Sequence, residues 1–88
     1  MVPAAAQAGG VIERGCLKSP RPGAGRALCA CLQQVADATL SASQQRRGAA
    51  FFADPHKSQT VKASDRPADD RFWAKWEAFA AAAVTHCQ

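Results

Sequence analysis

Two cysteines separated by a single alanine, Cys29 and Cys31, constrain the fold of this 88-residue chain more than any other feature. They lie in a stretch whose apolar spacing predicts a helix. At ~100° per residue, two helical positions two apart point about 200° away from each other, so the two thiols must reach different partners. The other cysteines are Cys16 and Cys87. The sequence therefore predicts that two separate segments are tied to this one helix.

The helical spacing favours one of the two ways of pairing these cysteines. One apolar stripe runs along the helix predicted over residues 26–40 and consists of Leu28, Cys31, Leu32, Val35 and Thr39. Because Cys31 lies in this stripe, we expect it to face the core and to pair with Cys87. Cys29 lies on a flank of the stripe and is left for Cys16. The alternative, Cys16 with Cys31 and Cys29 with Cys87, stays open.

The size of the chain indicates why disulfides are needed. Eighty-eight residues allow one small domain, which buries only roughly 60–65% of its unfolded surface. Alanine supplies much of the hydrophobic content, so the predicted large core residues are few: Leu28, Leu32, Val35, Leu40, Phe51, Phe52, Val61, Phe72, Trp73, Trp76, Phe79 and Val84. So small a core usually needs covalent support. Four cysteines in a short chain favour two bridges and an oxidising compartment over free thiols.

Residues 1–25 are expected to form a flexible arm that is anchored by Cys16. The first eight residues end in Ala6-Gln7-Ala8, which has the small-x-small form of a signal-peptide cleavage region. We therefore interpret these eight residues as the remnant of a secretory leader. The simpler alternative is an alanine-rich start. The two prolines and two glycines between Ser19 and Gly25 predict a loop. No segment reaches ~18 apolar residues, so no membrane span is expected.

Capping signals divide the middle of the chain. Ser41 followed three residues later by Gln44 fits a capping box and predicts a second helix over residues 42–53. Asp54 before Pro55 predicts the start of a short third helix, since aspartate caps a helix and proline is tolerated at its first position. These signals therefore predict two short helices in the middle of the chain.

The last helix is predicted to begin near Pro67. Asp69 and Asp70 lie in its first turn, where the positive end of the helix dipole favours acids. Its apolar residues recur at helical spacing as far as Cys87. The sequence thus predicts an all-α domain over residues 26–88, with two longer and two short helices and two disulfides.

Several short motifs are shared with one known family. They are Cys29-Ala-Cys31-Leu-Gln-Gln-Val-Ala-Asp-Ala-Thr-Leu, Gln45-Arg46-Arg47, Phe51-Phe52-Ala-Asp-Pro-His56, Ser64-Asp65-Arg66 and Phe72-Trp73. Over about residues 16–87 the chain resembles small secreted alphaproteobacterial proteins with four cysteines that commonly carry the label "arginine transporter". The resemblance implies a signal peptide in the precursor, a periplasmic or extracellular location and two disulfides. A transport path is not expected from 88 residues without a membrane span.

The chemistry-bearing residues do not predict a catalytic or metal site. No Ser or Cys with a nearby His and acid forms a triad, so the chain is not expected to be an enzyme. Soft thiolates of the cysteines with His56 or His86 would suit Zn or Cu(I). However, Cys29 and Cys31 do not form a Cys-x-x-Cys pair, and oxidation would remove the thiols. We therefore expect no metal and no cofactor, and a capping or surface role for His56.

The net charge of +4 is the remaining indication of function. The eleven Lys and Arg residues are spread along the chain, which is typical of a solvated surface. If a partner surface exists, we expect it around the middle helices, at Arg46, Arg47, His56, Lys57 and Arg66. An unknown protein or an anionic envelope component would fit it, whereas nucleic acid is not expected, and the chain is expected to be a monomer.

Two classes of function follow from these observations. The first is a small secreted or periplasmic accessory module that binds a partner through its middle helices and has no catalytic role. The second is a periplasmic protein that carries a small ligand or handles a metal, with a pocket between the helices near Trp73 and Trp76. Both tryptophans are expected mainly to pack in the core.

Overall fold

The computed structural model describes residues 10–19 and 25–87, and these form five α-helices and no β-strand. In chain order the helices are α1 (Val11–Lys18), α2 (Arg26–Thr39), α3 (Ala42–Ala53), α4 (His56–Lys62) and α5 (Pro67–His86). The predicted all-α class with two disulfides is confirmed. The predicted number of four helices is wrong, because α1 lies in a segment for which no helix is predicted.

Two predictions concern residues outside the described part of the chain. The leader-like Ala6-Gln7-Ala8 lies among residues 1–9, and most of the predicted loop lies in residues 20–24. Between them, the arm predicted over residues 1–25 contains α1, which packs against α2 and α3. The four helices predicted downstream are all present, and α5 packs against α2, α3 and α4.

Local capping interactions place the helix ends at, or within one residue of, the positions that the sequence predicts. The N–H of Gln44 donates to Ser41 Oγ at 3.2 Å, and the N–H of Ser41 donates to Gln44 Oε1 at 2.8 Å, which confirms the predicted capping box at the start of α3. Helix α4 begins one residue later than predicted: Pro55 is its N-cap, and the N–H of His56 donates to Asp54 Oδ1 at 3.2 Å. Helix α5 begins at Pro67 as predicted.

The two disulfides join Cys16 to Cys29 and Cys31 to Cys87, as the favoured pairing predicts. The first bridge ties α1 to α2, and the second ties α2 to the residue that follows α5. They link cysteines 13 and 56 residues apart in the sequence. In the loop-entropy model such closures stabilise the fold by about 3 and about 4 kcal/mol.

The side of α2 that faces the core differs from the predicted stripe. Cys29 is 0% exposed, whereas Cys31 is only half-buried, and Leu28 is 37% exposed. The prediction that Cys31 rather than Cys29 faces the core is therefore wrong, although the pairing is right. The reason is α1: Ile12 of this helix, itself fully buried, belongs to the same core cluster as Ala36 on the flank of the predicted stripe.

The core is built mainly from α1, α2 and α5. Its buried cluster consists of Ile12, Val35, Ala36, Leu40, Phe79 and Ala83. Val84, a predicted core residue, is 62% exposed and so does not belong to it. Ile12, Ala36 and Ala83 are absent from the predicted large core residues. The two alanines could not be recognised by size, and Ile12 was missed because no helix was predicted around it.

A buried amide network connects the first three helices. Gln33 Oε1 on α2 accepts the backbone N–H of Glu13 in the first turn of α1 at 2.9 Å. Gln33 Nε2 donates at 2.8 Å both to Asp37 Oδ1 and to Gln45 Oε1 on α3. Gln45 Nε2 donates in turn to the carbonyl of Leu40 at 3.3 Å. Gln33 thus acts as a cap for α1, supplied from a neighbouring helix.

Candidate functional site

An aromatic cluster joins the end of α3 to the first half of α5. Phe51 is at its centre: its ring meets Phe72 edge-on at 6.0 Å and Trp76 edge-on at 5.2 Å between centroids, and it lies 6.5 Å from Trp73. The α5 residues have helical spacing, so they present one face to α3. Edge-to-face pairs of this kind each add about 0.5–1.5 kcal/mol beyond the burial of their area.

Gly48 allows the largest of these rings to approach α3. A Cβ atom at position 48 would lie 2.0 Å from Cζ3 of Trp76, far inside van der Waals contact. Trp76 also contacts Phe79, with 4.8 Å between the ring centroids, so the indole is held from several sides. The role of Gly48 is not predicted from the sequence, although a glycine inside a helix already indicates a packing reason.

Beside the cluster lies a half-open pocket of about 240 Å³, which we call the aromatic pocket. It is lined by Ser19, Phe51, Phe52, Pro55, Ser58, Trp73 and Trp76. Trp73 and Trp76 are half-buried, so they contribute both to packing and to the pocket wall. None of the lining residues carries a charge, and the Ser58 hydroxyl donates to the carbonyl of Pro55 at 2.7 Å.

The five residues of the predicted partner surface are all exposed. Arg46 and Arg47 lie on α3, His56 and Lys57 form the start of α4, and Arg66 immediately precedes α5. The structure places them on, or next to, three helices that contact one another. His56 is the first residue of α4, and its backbone N–H donates to Asp54 Oδ1.

Arg47 differs from the other four because its side chain links two helices. Its Nη2 atom forms a salt bridge with Asp69 Oδ1 on α5, and its guanidinium lies 4.5 Å from the centroid of the Phe72 ring. In the described part of the chain, the side chains of Arg46, Lys57 and Arg66 form no ion pair within 4.0 Å. Arg47 therefore holds α3 against α5, while the others are available to a partner.

Asp69 lies in a cationic and hydrogen-bonded environment. Ser64 Oγ donates to its Oδ2 at 2.6 Å, and this hydrogen bond, followed by that from Arg47, lowers the pKa of the carboxyl below its ordinary value. The charge of Arg66 acts in the same direction. Asp69 is thus held ionised, and its negative charge interacts favourably with the charges of both Arg47 and Arg66.

The cysteines cannot serve as metal ligands in this fold, since all four are bonded in disulfides. The described residues contain no group of three or more His, Cys, Asp or Glu side chains arranged to hold a metal ion. A second and wider groove of about 430 Å³ runs between α2 and α5 near Cys31 and His86. His86 is the one titratable side chain among its lining residues.

Over the described ranges, no helix is long and apolar enough to cross a membrane. No protein-family model, curated protein or solved structure matches this chain. The resemblance to the small four-cysteine family therefore stays a prediction.

Proposed function

We propose that this chain is a small helical accessory module of the periplasm or the extracellular space, without catalytic activity, which binds another protein or an anionic envelope component through α3, α4 and the start of α5. One observation carries the proposal. Pro55 and Ser58 line the aromatic pocket, while His56 and Lys57, which lie between them in the sequence, are exposed to solvent. An apolar concavity bordered by exposed polar side chains is a typical composition for a binding surface.

The proposed location is supported by the disulfides. Bridges persist in oxidising compartments such as the bacterial periplasm and the extracellular space, and are rare in the cytosol. Both bridges link a helix to another part of the small core, and this chain is of the size that depends on such links. The resemblance to secreted four-cysteine proteins agrees with this location.

The distribution of charge supports an anionic partner. Residues 46–75 contain seven of the eleven Lys and Arg residues and four of the seven acidic residues. One of these acids, Asp69, is already paired with Arg47. The remaining exposed cations favour association with a negatively charged surface, mainly by accelerating encounter.

A second candidate function is that of a small-ligand carrier, and the aromatic pocket favours it. Pockets for small molecules are typically concave, mostly apolar and supplied with a few polar groups. The pocket near Trp73 and Trp76 has these properties at a small scale. Metal handling receives no such support, because the thiols that would bind the metal are bridged.

Charge reversal tests the proposed module. Oxidised protein is immobilised and exposed to periplasmic extract, and retained components are identified and then measured individually for affinity. We expect R46E/K57E to lose the partner that the wild type retains. The matched control R14E/K18E, which makes the same charge change at two exposed positions of α1, should retain it. Equal retention by both variants, or equal loss, would contradict the proposed surface.

A further inference from the structure

We propose that the aromatic pocket is a binding site for one neutral aromatic ring system that carries one hydrogen-bond donor, such as an indole or a phenol. The proposal rests on the proposed function and names the chemistry that the middle helices recognise. The ring can belong to a free small molecule or to a side chain of a partner polypeptide, and the experiment below separates these two sources.

The volume of the pocket limits its occupant to one ring system. At about 240 Å³ the pocket exceeds the engineered apolar cavity of about 150 Å³ that binds benzene. It is smaller than the roughly 300–1,000 Å³ typical of sites for drug-sized ligands. A phenol or an indole fits between these limits, whereas a nucleotide or a folded peptide segment does not.

The wall of the pocket selects an aromatic ring. Four of its seven lining residues are aromatic: Phe51, Phe52, Trp73 and Trp76. Phe51 already pairs with both tryptophans, but within the described residues Phe52 forms no ring pair with either of them. The space of the pocket is lined by Phe52 as well as by the two tryptophans. A guest ring placed there makes offset or edge-to-face contacts with these rings.

The absence of charge from the lining requires that the ring be neutral. An ion placed in this pocket would lose water without gaining a partner of opposite charge. Aromatic walls can also attract quaternary ammonium groups. However, the surrounding segment, residues 46–75, has an excess of Lys and Arg over acidic residues, and this excess repels a cation. Choline therefore serves as a discriminating probe.

Ser58 supplies the polar contact. Its hydroxyl hydrogen is used in the bond to the carbonyl of Pro55, so its oxygen remains as an acceptor at the pocket. A ring with an N–H or O–H group can donate to this oxygen, which toluene cannot. Indole and p-cresol should therefore bind more tightly than toluene.

The test uses oxidised, isotopically labelled protein and follows amide chemical shifts during titration with indole, p-cresol, toluene and choline. We expect indole and p-cresol to shift resonances at the end of α3, in α4 and around Trp73, with affinities at least tenfold above that of choline. No shifts with indole or p-cresol, equal binding of choline, or shifts confined to other helices would overturn the proposal.

Two variants of α4 provide the matched comparison. S58F fills the pocket, whereas T60F places the same bulk at an exposed position of the same helix; each removes one hydroxyl bond to a backbone carbonyl. We expect S58F to weaken indole binding at least tenfold and T60F to leave it within twofold. W73F, which keeps an aromatic wall, should bind, and W73A should not. Equal binding by S58F and T60F would refute the site.

Capped tripeptides with a central Trp, Tyr or Ala separate the two sources of the ring. Tighter binding of the Trp or Tyr peptide than of free indole assigns the ring to a partner polypeptide, and the reverse order assigns it to a small molecule. Both results support the ring site. If the wild type binds neither indole nor p-cresol but R46E/K57E still loses the partner that the wild type retains, the ring site fails while the proposed function stands. If indole binds as expected but R46E/K57E and R14E/K18E retain the partner equally, the charged surface alone is refuted.

Discussion

Replacing Gly48 by alanine tests how closely α3 and α5 must approach. The new Cβ would lie 2.0 Å from Cζ3 of Trp76, so the indole must move by about 1.5 Å to reach the ordinary carbon contact distance of about 3.5 Å. Overpacking of this kind costs roughly 1–3 kcal/mol. The higher helix propensity of alanine offsets about 1 kcal/mol. Because the indole is also packed against Phe51, Phe72 and Phe79, we expect a cost near the upper limit and a net destabilisation of about 2 kcal/mol.

For a domain of this size such a loss lowers the melting temperature by about 8–16 °C. The measurement is thermal unfolding of the oxidised protein, followed by far-UV circular dichroism and by tryptophan emission. Gly25, where an added Cβ meets nothing within 4 Å, supplies the control. Because it is the N-cap of α2, where alanine is less favourable than glycine, G25A should cost about 0.5 kcal/mol, lower the melting temperature by only about 2–4 °C and leave the tryptophan emission unchanged. If G48A melts at or above the wild-type temperature with unchanged emission, the inference that Gly48 seats Trp76 is refuted.

Two further predictions concern polar groups. Gln33→Leu should destabilise the fold by about 2 kcal/mol, because it leaves the buried side chain of Gln45 and the half-buried N–H of Glu13 without their partner. The exposed neighbour Gln34 gives the control: Q34L should change the free energy of unfolding in urea by less than about 0.5 kcal/mol. The lowered pKa of Asp69 stabilises the fold above the ordinary carboxyl pKa of about 4 and loses this contribution as the pH falls through the lower folded value. Asp69→Asn should therefore reduce stability at pH 7 and flatten its decline below about pH 4, as measured by melting temperature against pH; an unchanged decline would contradict the role of Asp69.

The helix ends could be predicted because their signals are local. The capping box of Ser41 and Gln44 and the proline at the start of α5 act within a few residues of themselves. These interactions need no knowledge of the rest of the fold. For the disulfides, the positions of Cys29 and Cys31 on one helix indicated two separate partners but left two pairings open. The favoured pairing is right, although the reason given for it, that Cys31 faces the core, is wrong.

Helix α1 could not be predicted for the opposite reason. It has eight residues, a length at which an isolated helix is unstable in water. Its stability comes from other parts of the chain: the burial of Ile12, the bridge from Cys16 and the side-chain amide of Gln33. Since α1 covers the flank of α2, its omission also accounts for the wrong choice of the buried side of that helix.

The aromatic pocket could be predicted only in part. Trp73 and Trp76 marked its position, but the wall supplied by Pro55 and Ser58 depends on how α4 packs. Helix α4 contains no buried residue and contacts only α3 and α5 among the main helix pairs. Segments with few buried contacts open at the lowest free energy in a fold. Both disulfides lie elsewhere, at α1, α2 and the end of α5, so they stabilise the core without restraining α4. The pocket therefore has one wall on α3 and α5 and another at α4, which no disulfide restrains. Binding of a ligand should therefore change the position of α4 more than that of any other helix.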